Sequence, residues 1–272
     1  MKRLNRTLSV KSTPRECFFY AYRIRSCAAV LLVTCSTLAC SHSDSDRQLR
    51  VDYVVDGDTV VVEGNETIRL AGINAPEYSR QSSKSEPFAL EALLALRERV
   101  DGTTVNLVSV PESHDQYGRT LAYLEDSGGR DVQLDLILRG YGYAIAWPPN
   151  VSRAEQYFAA ESRAREAERG VWSQRDLIPV RAEDIDSSGF NLIVGTVISV
   201  QKTAKSRVYN LRGGLKVFID DSDWNTYWNQ TELKQWTDQL VEVRGWVFRL
   251  GDNFGLKIRH PLMLKTVRVG AE

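Results

Sequence analysis

The chain has 272 residues, with 43% hydrophobic and 26% charged positions, 18 glycines and 8 prolines. Collagen-like, disordered and polytopic-membrane chains have other compositions and are excluded. The formal charge of zero averages two unlike parts, because residues 1–40 hold seven positive side chains against Glu16 alone and the remainder carries a net charge of −6.

Lys2, Arg3, Arg6, Lys11, Arg15, Arg23 and Arg25 precede the apolar run Ala28-Ala29-Val30-Leu31-Leu32-Val33 and a small-residue stretch up to Cys40. That is the layout of a secretory signal, and its apolar run is shorter than the roughly 20 residues that span a bilayer. All four cysteines, Cys17, Cys27, Cys35 and Cys40, lie in this leader, so an exported chain keeps at most one thiol. No disulfide partner and no CxxC metal site is expected beyond it. Thr37-Leu38-Ala39-Cys40 resembles a bacterial lipoprotein signal, with Thr37 where the usual leucine stands. The resemblance implies a lipid on Cys40 that tethers the chain to a membrane, in the periplasm or outer envelope; plain cleavage near Ala39 or Cys40, giving a secreted chain, is the alternative. Residues 41–50, opening with Ser41-His42-Ser43-Asp44-Ser45-Asp46, read as a polar tether.

From Val51 the pattern turns to short alternating apolar segments. Val51–Val55, Thr59–Glu63 and Thr67–Ile73 read as strands joined by the hairpin pairs Asp56-Gly57 and Gly64-Asn65. A helix is expected from Ser85, as N-cap, with Glu86 and Pro87 in its first turn and Phe88, Leu90, Leu93, Leu94 and Leu96 behind them. Thr103–Val110 and Thr120–Leu124 return to strand character; Val132–Arg139 and Arg153–Arg169 read as helices ending at Gly140 and Gly170. Residues 176–190 read as a linker. Five further strands are expected within 191–269, at Leu192–Val200, Val208–Leu211, Leu215–Ile219, Leu240–Leu250 and Phe254–Ile258, with one helix at Glu232–Gln239. Residues 51–175 carry a net charge of −7 and the part after them +1, which supports a boundary near residue 180.

Only His42, His114 and His260 are present, so histidine-driven nucleophilic catalysis is a poor fit. Carboxylates and arginines accumulate instead, in Asp56-Gly57-Asp58-Thr59, in Arg69-Leu70-Ala71-Gly72-Ile73-Asn74-Ala75-Pro76-Glu77, and in Asp115-Gln116-Tyr117-Gly118-Arg119. Hard oxygen ligands suit Ca²⁺ or Mg²⁺, and planar guanidinium forks suit phosphate oxygens. A divalent ion with two arginines is an apparatus for phosphodiester hydrolysis. Each block alone also reads as a turn or a solvated face.

In order and spacing these blocks, with the closing Gly170-Val171-Trp172-Ser173, resemble the staphylococcal-nuclease-like (thermonuclease) family over residues 51–173. The resemblance implies a β-rich α+β fold, an OB-type five-stranded barrel with three helices. It also implies calcium-dependent cleavage of DNA or RNA, an endonuclease leaving 5′-hydroxyl and 3′-phosphate ends. Position by position, Asp58, Asn74 and the backbone of Ala75 would hold Ca²⁺, with Mg²⁺ or Mn²⁺ as substitutes. Glu77 would hold the attacking water, and Arg69 and Arg119 would grip the phosphate. Tyr117 and Trp147, the nearest aromatic, stand for the nucleotide contacts. The family's second metal-binding aspartate is Asn74 here, its threonine is Ala75, a lysine beside Tyr-Gly-Arg is Gln116, and its paired tyrosines are unmatched. A catalytically weak or inactive barrel that binds nucleic acid is therefore the alternative.

Residues 191–269 look like a second small OB-like barrel, with Lys202, Lys205, Arg207 and Tyr209 on one basic strand pair as a nucleic-acid contact. A packing or protein-binding barrel with a solvated basic loop is the other reading. Trp224, Tyr227, Trp228 and Trp236 read as core and cap residues.

Overall fold

The computed structural model describes residues 47–79, 85–174, 179–228 and 235–267. Cys40 and the leader lie outside them. Alternating side chains and two turns build the first sheet: β1 (Arg47–Asp56), β2 (Thr59–Val62) and β3 (Glu66–Leu70) form consecutive hairpins. Gly64 and Asn65 both adopt left-handed backbone angles in the second turn, the conformation such a pair favours. The short β4 (Ile73–Asn74) leads to α1 (Ala89–Val100), then β5 (Thr104–His114), β6 (Thr120–Glu125), α2 (Val132–Leu138), β7 (Tyr143–Ala144) and α3 (Ala154–Glu166). The barrel closes in the order β1-β2-β3-β6-β5, with β3 and β6 parallel and its other pairs antiparallel.

The second half repeats this wiring. β8 (Val180–Arg181) precedes β9 (Gly189–Lys202), β10 (Ser206–Leu211), β11 (Lys216–Asp220), α4 (Asp221–Tyr227), β12 (Leu240–Leu250), β13 (Asn253–Lys257) and β14 (Leu264–Thr266). Strands β9-β10-β11-β13-β12 close through the β12–β9 pair, and β11 with β13 is again the parallel contact. Both barrels thus follow the OB-type order in which the first strand meets the second and fourth. Inward positions form two cores, one around Val51, Ile68, Leu96, Leu124 and Leu136, the other around Ile193, Tyr209, Val217, Val243 and Leu256.

A buried ionic joint links the barrels. Arg244 of β12 donates to both Glu161 oxygens of α3 at 2.6 and 2.8 Å and to the Ala144 carbonyl at 3.0 Å. Glu242 accepts a two-pronged bond from Arg165 at 2.9 and 2.8 Å, with Lys265 3.3 Å away. The Glu161 carboxylate also accepts from the Ala144 N–H at 2.8 Å, so β7 is held on both its polar groups. Charges this deep are tolerable because each acid meets more than one cation.

Several expectations are corrected. The tether is shorter than expected, because Arg47–Arg50 pairs with Thr104–Leu107 of β5. The linker of residues 176–190 includes β8, which pairs with β9, and Ala182, which is buried in the second core. The first helix starts at Ala89, not Ser85. The Ser85 hydroxyl instead meets the Ser79 N–H at 3.1 Å, while Glu86 binds the Glu77 N–H through its carboxylate at 2.9 Å. The expected helix at Glu232–Gln239 lies partly outside the described residues, and its remainder, 235–238, is turn.

Candidate active site at the mouth of the first barrel

The β1–β2 hairpin sets Asp56 opposite Thr59, leaving Gly57 and Asp58 as its tip. A side chain on Gly57 would press into the Ala75 and Ala92 methyl groups at 2.6 and 2.7 Å, so only glycine lets the tip sink against α1. Asp58 is 5% exposed as a result. Its carboxylate accepts from the Ala75 N–H at 2.8 Å and the Thr59 hydroxyl at 3.1 Å. Register puts Arg69 across from Thr59, and its Nη2 lies 2.8 Å from Asp58 Oδ2.

Arg69 is largely occupied by the protein. Its Nη1 donates to the carbonyls of Leu70 and Ile73 at 2.6 and 2.9 Å, and Nη2 donates to Asn74 Oδ1 at 3.3 Å. It thereby folds the Leu70–Asn74 segment back on itself, with β4 held from its other side by β7 in the register Asn74 to Tyr143. Arg119 differs. Its Nε donates to Asp115 Oδ2 at 2.6 Å and its guanidinium lies over the Tyr117 ring at 5.5 Å, whereas its terminal Nη groups have no hydrogen-bond partner among the described residues. The open fork at this mouth is that of Arg119.

Burial pushes the Asp58 carboxyl up to about 7; the Asp56 charge adds to the push, and Arg69 opposes it. Glu77 is exposed at the surface, yet partial desolvation raises it too, helped by the charges of Asp56 and Glu86 and opposed by those of Arg69 and Arg119. Against the upward push of burial, bonds from the Arg119 backbone and side chain hold Asp115 below its ordinary value. The mouth therefore gathers more carboxylate than its cations offset. In the sequence Asp56 stands within a carboxylate block without an assigned role, and Glu86 reads as a helix residue. The Asp-Gly-Asp spacing was the available signal for Asp56, since a two-residue hairpin brings both aspartates to one tip.

The candidate donors are hard oxygens, the Asp58 carboxylate, the Asn74 amide and the Ala75 carbonyl, and the buried Asp58 carboxylate feels the charge of Asp56 as well as that of Arg69. That set fits a hard divalent cation, with one charge fewer than two aspartates would bring. Among the described residues no three His, Cys, Asp or Glu side chains converge on one point.

Other expected contacts lie elsewhere. Tyr117 is 76% exposed beside Arg119. The Trp147 ring packs edge-on against Trp246 of the second barrel at 5.7 Å and under Arg259. Lys202 and Lys205 are exposed, but Tyr209 is fully buried against Trp236 and cannot stack on a base. Arg207 is also buried, paired with Asp221 over the Trp224 ring. In β10 these two share the inward phase of Leu211, so the basic strand hides the residues that gave it its character.

Barrel order and mouth together define an OB-type domain with an acid- and arginine-lined edge. Residues 67–174 match the family described as staphylococcal nuclease homologue. An uncharacterised protein of Bacillus anthracis is 31% identical over 136 residues, 47% of this chain and 62% of that protein. A thermonuclease of Staphylococcus hyicus is 26% identical over 132 residues, 47% of this chain and 78% of its own length. A probable endonuclease of Candida dubliniensis is 36% identical over 114 residues, which are 39% of this chain and 47% of the relative. The chain thus spans less than two thirds of two of these three relatives.

Proposed function

We propose that the chain is an exported, metal-dependent nuclease that hydrolyses phosphodiester bonds of DNA or RNA, leaving 5′-hydroxyl and 3′-phosphate ends. The observation that carries this reading is the buried Asp58–Arg69 pair, 2.8 Å apart, set beside Asn74 and Glu77 in a nuclease-type domain. Asp58, Asn74 and the Ala75 carbonyl would hold a Ca²⁺ ion, which would offset phosphate charge and acidify a water. Glu77, made more basic by partial desolvation and neighbouring acids, accepts the proton of the attacking water. Arg119 presents its free fork to the phosphate oxygens. Arg69 adds positive charge from a fixed position, stabilising the charge that builds in the transition state. The leader expectation, with Cys40 lipidated, places the enzyme on the outer side of a membrane.

The test is cleavage of end-labelled single-stranded DNA and RNA by the purified chain with Ca²⁺, Mg²⁺ or chelator, beside Glu77→Ala. Metal-dependent cleavage that the variant loses supports the proposal; equal cleavage by the variant, or none with any ion, refutes it. A second reading, a binding protein that has lost the reaction, draws on Asn74, whose oxygen faces Arg69. Binding without cleavage would select it.

A further inference from the structure

Strands β11, β13 and β12 of the second barrel carry an aromatic and basic checkerboard on their outer face. Val217, Leu256 and Val247 lie side by side in the register and are buried, so the rows on either side of them face outward. One row is Lys216, Gly255 and Phe248 across β11, β13 and β12; the next pairs Phe218 with Lys257, and Trp246 precedes Val247 on β12. Trp246 is 41% and Phe248 40% exposed. Phe218 and Phe248 sit 6.0 Å apart at 33°, with Phe248 lying over Gly255, where a side chain would collide with the ring. Lys257 pairs with Asp220 at 2.5 Å, while Lys216 has no ion-pair partner among the described residues.

The row does not end at the barrel. Trp246 meets Trp147 edge-on at 5.7 Å, and Trp147 stands three residues beyond Ala144 of β7, whose partner strand β4 carries Asn74. The half-buried Trp147 therefore joins the exposed Trp246 of the second barrel to the segment that follows β7.

We infer that this face binds a single strand of nucleic acid, its bases on Trp246, Phe248 and Phe218 and its phosphates near Lys216 and Lys257. Rings supply stacking that tolerates any base, and interleaved lysines supply the backbone charge; a protein-docking patch of this size would be apolar at its centre, without lysines between the rings. The net charge of +1 for this half, against −7 for the first, makes it the half less repelled by phosphate. The inference rests on the nucleic-acid reading given above and moves the second barrel's contact away from Arg207 and Tyr209.

The test is binding of fluorescein-labelled oligo-dT and oligo-U to the full chain in chelator, so that cleavage plays no part. Phe248→Ala and Trp246→Ala should each weaken binding about 5- to 150-fold. Lys216→Gln should lower the salt slope by about 0.7, the value for one phosphate contact on a single strand. Because Trp246 also packs on Phe190, Trp246→Phe serves as a second variant; it should fold, keep most of the affinity and lose part of the tryptophan quenching seen on binding. Unchanged affinity in Phe248→Ala and Trp246→Ala overturns the inference, as does the finding that these changes dissolve a dimer instead. Binding through this face with no cleavage in metal would keep it while removing the nuclease reading; cleavage with indifferent ring variants would do the reverse.

Discussion

Replacing Arg244 by alanine should cost about 3–5 kcal/mol of stability, the range for removing one member of a buried ion pair. The pair is buried on both sides, with side-chain exposures of 4% for Arg244 and 3% for Glu161, so the discount due to surface pairs does not apply. The change removes both bonds to Glu161, the bond to the Ala144 carbonyl and a guanidinium packed over the Phe158 ring. Arg165 Nε, 3.2 Å from Glu161, and the Ala144 N–H remain as partial compensation, which favours the lower end of the range. At about 2–4 °C per kcal/mol for a domain of this size, the melting temperature should fall by roughly 6–20 °C. Urea unfolding followed by tryptophan fluorescence and circular dichroism measures it, and a cycle with Glu161→Ala should show coupling of about 0.5–3 kcal/mol. A loss under about 1 kcal/mol, or strict additivity in the cycle, would refute the view that this joint stabilises the fold.

The remaining predictions concern charge and packing. Arg165 and the other cations hold Glu242 at about 2 despite burial, below its ordinary value of 4.5. The group thus contributes about 3 kcal/mol above pH 4.5 and loses it as pH falls toward 2. Melts from pH 6 to pH 2 should be steeper in the wild type than in Glu242→Gln, and parallel curves would remove the assignment. Gly57→Val should destabilise by about 1–3 kcal/mol through overpacking against Ala75 and Ala92, and should impair cleavage more than stability by moving Asp58. Asn74→Asp should tighten Ca²⁺ binding in calorimetry, since it restores a charged oxygen beside Asp58; unchanged affinity would place the ion elsewhere. Gln133→Leu should cost about 1–3 kcal/mol for each group left unsatisfied between the Leu124 N–H and the Ala71 carbonyl, the Ala122 carbonyl keeping its bond from the Ala71 N–H; an unchanged denaturation midpoint would contradict that.

The strands were legible because each barrel depends on period-two alternation and on turns with a fixed residue chemistry, as at Gly64-Asn65. The mouth was legible in its residue types: Asp58, Arg69 and Asn74 do meet. What the sequence concealed was the sharing of donors. Nothing local says that Arg69 commits its terminal nitrogens to Leu70, Ile73 and Asn74 while Arg119 keeps its own free. Ser85 was misread because a serine before a helix signals a cap, whereas here it bonds across a turn to Ser79. Tyr209 and Arg207 were misread because their positive and aromatic character outweighed their phase on the strand. The Glu161–Arg244 pair was invisible for a simpler reason, a separation of 83 residues.

That separation bears on the order in which the chain is made. Glu161 and Ala144 leave the ribosome well before Arg244 does. Until β12 follows, β7 has only one of its two charged anchors, and β4 has a partner that is itself half fastened. A fragment stopped at residue 174 would hold every residue of the proposed site yet leave Glu161 without its principal cation. The mouth of the first barrel is thus completed by a strand of the second, so its geometry matures only once Arg244 has joined Glu161.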